Sequence, residues 1–107
     1  MLKAEMKIKF YSKPEDPPDR IKYCIDPNRP LRPPFMLGGM LFSGSIITKE
    51  SVLKTDEEYL VQVMFFTIDT PEVFSMIEDD LTIGSLHSIH VGKKVIGEAV
   101  LINYQYT

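Results

Sequence analysis

Few residues of this 107-residue chain have side chains suited to chemistry, and their spacing limits what each can do. His87 and His90 stand three apart. Imidazole binds metals and moves protons near neutral pH. The residues around the pair read as a strand, where positions three apart face opposite sides, so a shared metal is not expected. Neither histidine has a carboxylate close in sequence to mark it as a general base. Asp56, Glu57 and Glu58 are adjacent carboxylates, and Glu78, Asp79 and Asp80 form a second set. Without a third ligand or a histidine nearby, the first reads as a solvated turn and the second as an exposed segment end. Cys24 is the only cysteine. An internal disulfide is therefore excluded, a thiolate zinc site is not expected, and the residue reads as a small buried hydrophobe.

Arg20, Lys22, Arg29 and Arg32 form the one basic cluster with aromatic neighbours, Tyr23 and Phe35. It reads either as a site for an anionic partner or as a solvated loop. The chain has no Gly-x-x-x-x-Gly-Lys-Ser/Thr loop for nucleotide phosphates and no Gly-x-Ser-x-Gly elbow. Neither a nucleophile–base pair nor a metal or cofactor site emerges, and the expectation is a protein that is not an enzyme.

The elements that must position these residues are strands. Residues 86–104 read as a hairpin, with Gly92 and Lys93 at the turn. Its second arm is apolar on both faces except at Glu98, so a position inside a barrel or sandwich is expected. Residues 3–11 alternate strictly, with Ala4, Met6, Ile8 and Phe10 opposite Lys3, Glu5, Lys7 and Lys9. That is a half-buried strand, and its lysines suit a sheet edge. Residues 12–34 hold seven of the eight prolines, including Pro17-Pro18 and Pro33-Pro34. They read as a long stiffened loop, with room for a short strand at 21–25. Residues 35–47 read as a strand bent or bulged at Gly38-Gly39. A turn at 48–51 precedes a short strand at Val52 and Leu53. Residues 59–68 give the strongest strand pattern, rich in β-branched and aromatic side chains. Residues 71–80 predict one or two helical turns, with Thr70 as N-cap and Pro71 at the first position.

Charge is unevenly spread. Residues 1–35 hold eight Lys/Arg and five Asp/Glu, a balance of +3, and residues 36–107 hold four and ten, a balance of −6. An acidic majority argues against broad nucleic-acid binding, which depends on neutralising phosphates. No apolar run is long enough for a membrane span, and the N-terminus lacks the apolar core of a secretory signal. A cytoplasmic location is the expectation.

Two stretches resemble the C-terminal β-barrel, the third domain, of the bacterial elongation factor Tu family. Arg32-Pro33-Pro34-Phe35, running on to Ser43-Gly44, is similar to that family's Arg-Pro-Gln-Phe strand, which leads to a Thr-Gly or Ser-Gly pair. Residues 84–97, from Gly84-Ser85-Leu86-His87 to Val95-Ile96-Gly97, resemble its Gly-Leu-Arg-Phe-Ala-Ile-Arg-Glu-Gly-Gly-Arg-Thr-Val-Gly hairpin. The long apolar strand between them matches in order, with an insertion around 75–81. The resemblance implies an all-β fold, a small closed antiparallel β-barrel of about six strands. In that family the barrel helps to hold the T-arm of aminoacyl-tRNA and packs on a GTPase domain. By position, the family's loop arginine corresponds to Arg20, its hydroxyl residue to Ser43 and its turn glycine to Gly92. Its glutamine falls on Pro34 and its hairpin arginine on His90. The GTPase domain is absent from this sequence, so GTP binding is not expected of it.

The resulting expectation is a non-catalytic binding module for a protein or a structured RNA, tRNA included. Arg20, Arg29, Arg32, Ser43, His90 and Gly92 are its candidate contact residues. The rival expectation is an immunity-type interaction protein, whose carboxylate clusters complement a basic toxin acting on translation. A small enzyme comes third.

Overall fold

The computed structural model describes residues 1–17 and 20–107. Pro18, one of the prolines read as stiffening the long loop, lies outside the described residues. Among those described there are nine strands and one short helix. The strands are β1 (Leu2–Phe10), β2 (Ile21–Cys24), β3 (Pro34–Leu37), β4 (Met40–Ser43), β5 (Ser45–Ile47), β6 (Val52–Lys54), β7 (Glu58–Phe65), β8 (Leu86–Val91) and β9 (Lys94–Tyr106). The helix α1 (Pro71–Ile77) continues into a 3₁₀ turn, Glu78–Asp80.

Seven strands form one antiparallel sheet in the order β4-β3-β8-β9-β1-β7-β5, and β2 pairs with β6 in a small second sheet. The large sheet curls strongly into a half-barrel and does not close. Its two edge strands, β4 and β5, are consecutive in sequence with only Gly44 between them. The chain thus leaves its ladder with β3 and joins β7 within one residue, so no ladder crosses the seam. Two backbone bonds reach it instead: the Gly44 N–H to the Pro33 carbonyl, and the Ile46 N–H to the Leu31 carbonyl. The expected single strand at 35–47 becomes three elements. Gly38 and Gly39 are not a bulge but a two-residue hairpin turn, with φ of 58° and 78°. Left-handed values at both positions match the right-handed twist of the flanking strands.

Alternation decides the core. Leu2, Ala4, Met6, Ile8 and Phe10 of β1 point inward and are buried, as are Val61, Val63 and Phe65 of β7. Phe35 and Phe65 meet edge-to-face at 5.4 Å. β1 is not at an edge. It pairs with β7 and β9, and its lysines lie on the outer face, where Lys7 meets Glu58 at 3.8 Å and Lys9 meets Glu98 at 3.7 Å. Cross-strand charge pairs, rather than edge protection, account for those residues. β9 is central, yet only its inner face is covered, since Glu98, Val100 and Ile102 remain half-exposed.

α1 lies at the end of the half-barrel that holds Leu2. Phe74 stacks on Tyr106 at 4.3 Å, with Tyr104 at 6.4 Å. The Thr70 hydroxyl accepts the Val73 N–H at 3.3 Å, as an N-cap should. Thr70→Ala is expected to cost about 1 kcal/mol, read as a lower urea midpoint, because the helix loses one of few bonds at its start.

Candidate functional site

The six candidate contact residues do not converge. Arg20 is exposed and its guanidinium meets the Asp16 carboxylate at 2.6 Å. The Lys13 N–H, and after it the charge of Arg20, hold the Asp16 carboxyl below its ordinary range. The Arg20 carbonyl accepts the Thr55 N–H, and Thr55 bridges to Phe10. Arg32 lies 5.7 Å from the ring centre of Phe66, next to Phe65, which pairs with Leu2. Phe10 and Leu2 are opposite ends of β1, about 26 Å apart at strand rise. Arg29 is exposed in a turn, where its N–H donates to the Asp26 carbonyl. Ser43 is exposed on edge strand β4, opposite Pro34. Gly92 makes the β8–β9 turn with φ of 58° and sits at the Phe10 end of the sheet, since Phe10 pairs with Gly97.

His90 is only 7% exposed, so its ring does not reach the surface. Its Nε2 lies 2.6 Å from the Ser88 hydroxyl, and its Nδ1 has no hydrogen-bond partner among the described residues. His87 is 6% exposed, and its Nε2 lies 2.7 Å from the Ser85 hydroxyl. The β8–β9 register shifts between Ile89 and His90, and the extra residue is Ile96 of β9. His90 keeps the side of Ser88, opposite His87, and its ring lies against the Ser88 hydroxyl. Each Ser–His pair brings together the types of an activated nucleophile, but neither histidine has a carboxylate bonded to it among the described residues.

Burial is the main influence on His87 and lowers its pKa below 6.5; a bond to the Met36 backbone and the nearby Asp80 charge act the other way. The unfolded chain therefore binds this proton at a higher pH than the folded one. The stability tied to the neutral ring is complete above about pH 6.5 and is lost as pH falls through the lower folded value. The urea midpoint is expected to fall below that pH, and His87→Gln to remove part of the slope.

Cys24, expected inside, is exposed. In β2 the alternate residue Tyr23 turns inward and meets Phe10 edge-to-face at 5.1 Å, which sends Cys24 outward.

A different junction forms at the α1 end, and Asp80 is its centre. The Asp80 Oδ2 accepts the Gly38 N–H at 2.6 Å, and its backbone carbonyl accepts the Ser85 hydroxyl at 3.3 Å. The β3–β4 turn thus meets, from 42 residues away, the 3₁₀ turn and the approach to β8 that follows it. Around it Met76, Ile83 and Leu86 are exposed by 59%, 59% and 63%. The sequence pattern marks Glu78, Asp79 and Asp80 only as exposed carboxylates, and nothing local shows that the third holds a hairpin 42 residues away. Among the described residues no three His, Cys, Asp or Glu side chains gather as a metal site, and no helix is long and apolar enough to cross a membrane. A scan against protein-family models and a search of curated protein sequences find no match to this chain.

Proposed function

We propose that this chain is a non-catalytic binding module whose partner is a protein. The observation that carries this reading is the set of large apolar side chains left in solvent, among them Met76, Ile83 and Leu86, with Met40 and Leu41 on edge strand β4. Burying such side chains against a partner returns roughly 25 cal/mol per Å² of apolar surface. Kinship with the elongation factor Tu C-terminal barrel belongs to the same proposal. It is supported by the β8–β9 hairpin turning at Gly92 and by the curled antiparallel sheet. Structured RNA is the weaker partner class, because Arg20 is engaged by Asp16 and Arg32 lies toward the opposite end of the sheet.

Affinity capture with the purified chain, with and without nuclease, tests the reading. A stoichiometric protein retained after nuclease is the expected result. Capture of RNA alone, weakened when Arg20, Arg29 and Arg32 are neutralised, would replace protein by RNA as the partner. No retained macromolecule at low salt would overturn the module reading.

A further inference from the structure

We infer that the surface around Asp80 is a docking site for a basic amphipathic segment of a partner protein. The inference rests on the binding-module reading and adds the chemistry of the partner. Three observations meet here. First, exposed Met76, Ile83 and Leu86 belong to segments joined through Asp80. The Met76 carbonyl comes to 3.0 Å from the position a Cβ would take at Gly38, which brings the β3–β4 hairpin, with exposed Leu41, alongside α1.

Second, the segments that carry these side chains are acidic, although Lys7 on β1 lies one strand beyond Val100, the partner of Leu86. From residue 55 to residue 92 the sequence contains no Lys or Arg, yet it contains eight Asp or Glu. The hairpin beside it carries no charged residue from Pro33 to Thr48. Among the described residues no cation pairs with Glu72, Glu78 or Asp79. Asp80 differs, because its carboxylate is occupied by the Gly38 N–H. Glu78 and Asp79 are thus left as an acidic rim.

Third, the support is fixed. The 3₁₀ turn is pinned by Asp80, Ile77 is buried beneath it, and Phe74 is stacked on Tyr106. A surface held in place loses little entropy on binding. Apolar centre and acidic rim together select a segment with apolar side chains on one face and Lys or Arg on its flanks. Methionine at the centre tolerates different apolar shapes. An acidic segment would meet like charge, and a purely basic one would leave the apolar centre uncovered.

The test uses the full chain and a fluorescein-labelled Leu/Lys amphipathic helical peptide, followed by anisotropy. Saturable binding is expected, weakened about tenfold by Met76→Ser with Leu86→Ser. Glu78→Lys with Asp79→Lys is expected to weaken it by a similar factor at low salt and to flatten its salt dependence. Leu60→Ser, at an exposed apolar residue on β7, should leave it unchanged. All five positions are exposed, and matching circular dichroism melts establish that the variants fold. A Ser/Lys peptide of equal charge that binds as well would overturn the inference, as would a Leu/Glu peptide that does. Concentration-dependent self-association that is lost in the same variants, with no peptide binding, would assign the surface to a second copy and overturn it too. If the peptide fails but the wild-type chain still retains a protein after nuclease, this surface is wrong and the module reading stands. If both fail, both fall.

Discussion

Gly97→Ala is expected to cost about 3 kcal/mol and to lower the urea midpoint without changing the slope of the transition. A Cβ at this position would lie 2.5 Å from the Lys9 carbonyl oxygen and 3.2 Å from both the Cα and a ring carbon of Phe10. The nearest atom is backbone, so no rotamer change relieves the collision. β1 and β9 would have to move apart, and they are neighbours at the middle of the large sheet, with Phe10 opposite Gly97. Gly39 is the control. A Cβ there meets nothing within 4 Å, but its φ is +78°. Gly39→Ala is therefore expected to lose only the left-handed backbone preference, roughly 1–2 kcal/mol. A Gly97→Ala protein within about 0.5 kcal/mol of wild type, the range of ordinary surface changes, would mean that the strands are not held as closely as described.

The same glycine shows how much the sequence reveals. The arm from Val95 to Ile102 reads as a strand from its residue types, and its small Gly97 and Ala99 signal a close neighbour. Which neighbour comes close is not local information, because Lys9 is 88 positions away. Period-2 alternation likewise reveals β1 and its inward face, but not its place in the sheet. An edge strand and a central strand with an outward charged face have the same pattern. The capping of α1 is legible at Thr70 and Pro71 because caps are made by residues a few positions apart. The Asp80 junction is not legible, since it joins residues whose only relation is the fold.

The candidate contact residues separate on the same line. Gly92 falls at a turn because a two-residue connection between strands demands positive φ, and that demand is local. The basic residues at 20, 29 and 32 look like one cluster because they are close in sequence. A proline-rich path interrupted by β2 places them independently, and their neighbours in space differ: Asp16 and Thr55 for Arg20, Asp26 for Arg29 and Phe66 for Arg32. His90 looks available because simple alternation puts it opposite His87. It keeps that side, but its ring lies against the Ser88 hydroxyl and is buried there, which the pattern of residue types does not show.

The seam between β4 and β5 supports the second large effect. Phe35→Ala is expected to cost about 4 kcal/mol, the range for an aromatic truncated in a core. Phe35 is fully buried, meets Phe65 edge-to-face and pairs with Ile89. Its ring also fills the space beside Gly44. A Cβ built on Gly44 would lie 2.7 Å and 2.8 Å from two of its ring carbons, and 2.5 Å from a methyl of Val63. Gly44→Ala alone is therefore expected to be destabilising by about 2–3 kcal/mol. Combined with Phe35→Ala it should cost clearly less than that, because half of the collision has gone, and the cycle should show a coupling above about 1 kcal/mol. Amide exchange locates the effect. The Gly44 and Ile46 N–H groups bond across the seam to Pro33 and Leu31, so they should exchange faster in Phe35→Ala, relative to the global loss, than amides in the β1–β9 ladder. Strict additivity of the two substitutions would show that ring and glycine do not share a space, and the half-barrel would then need another explanation for how one residue carries the chain from one edge of its sheet to the other.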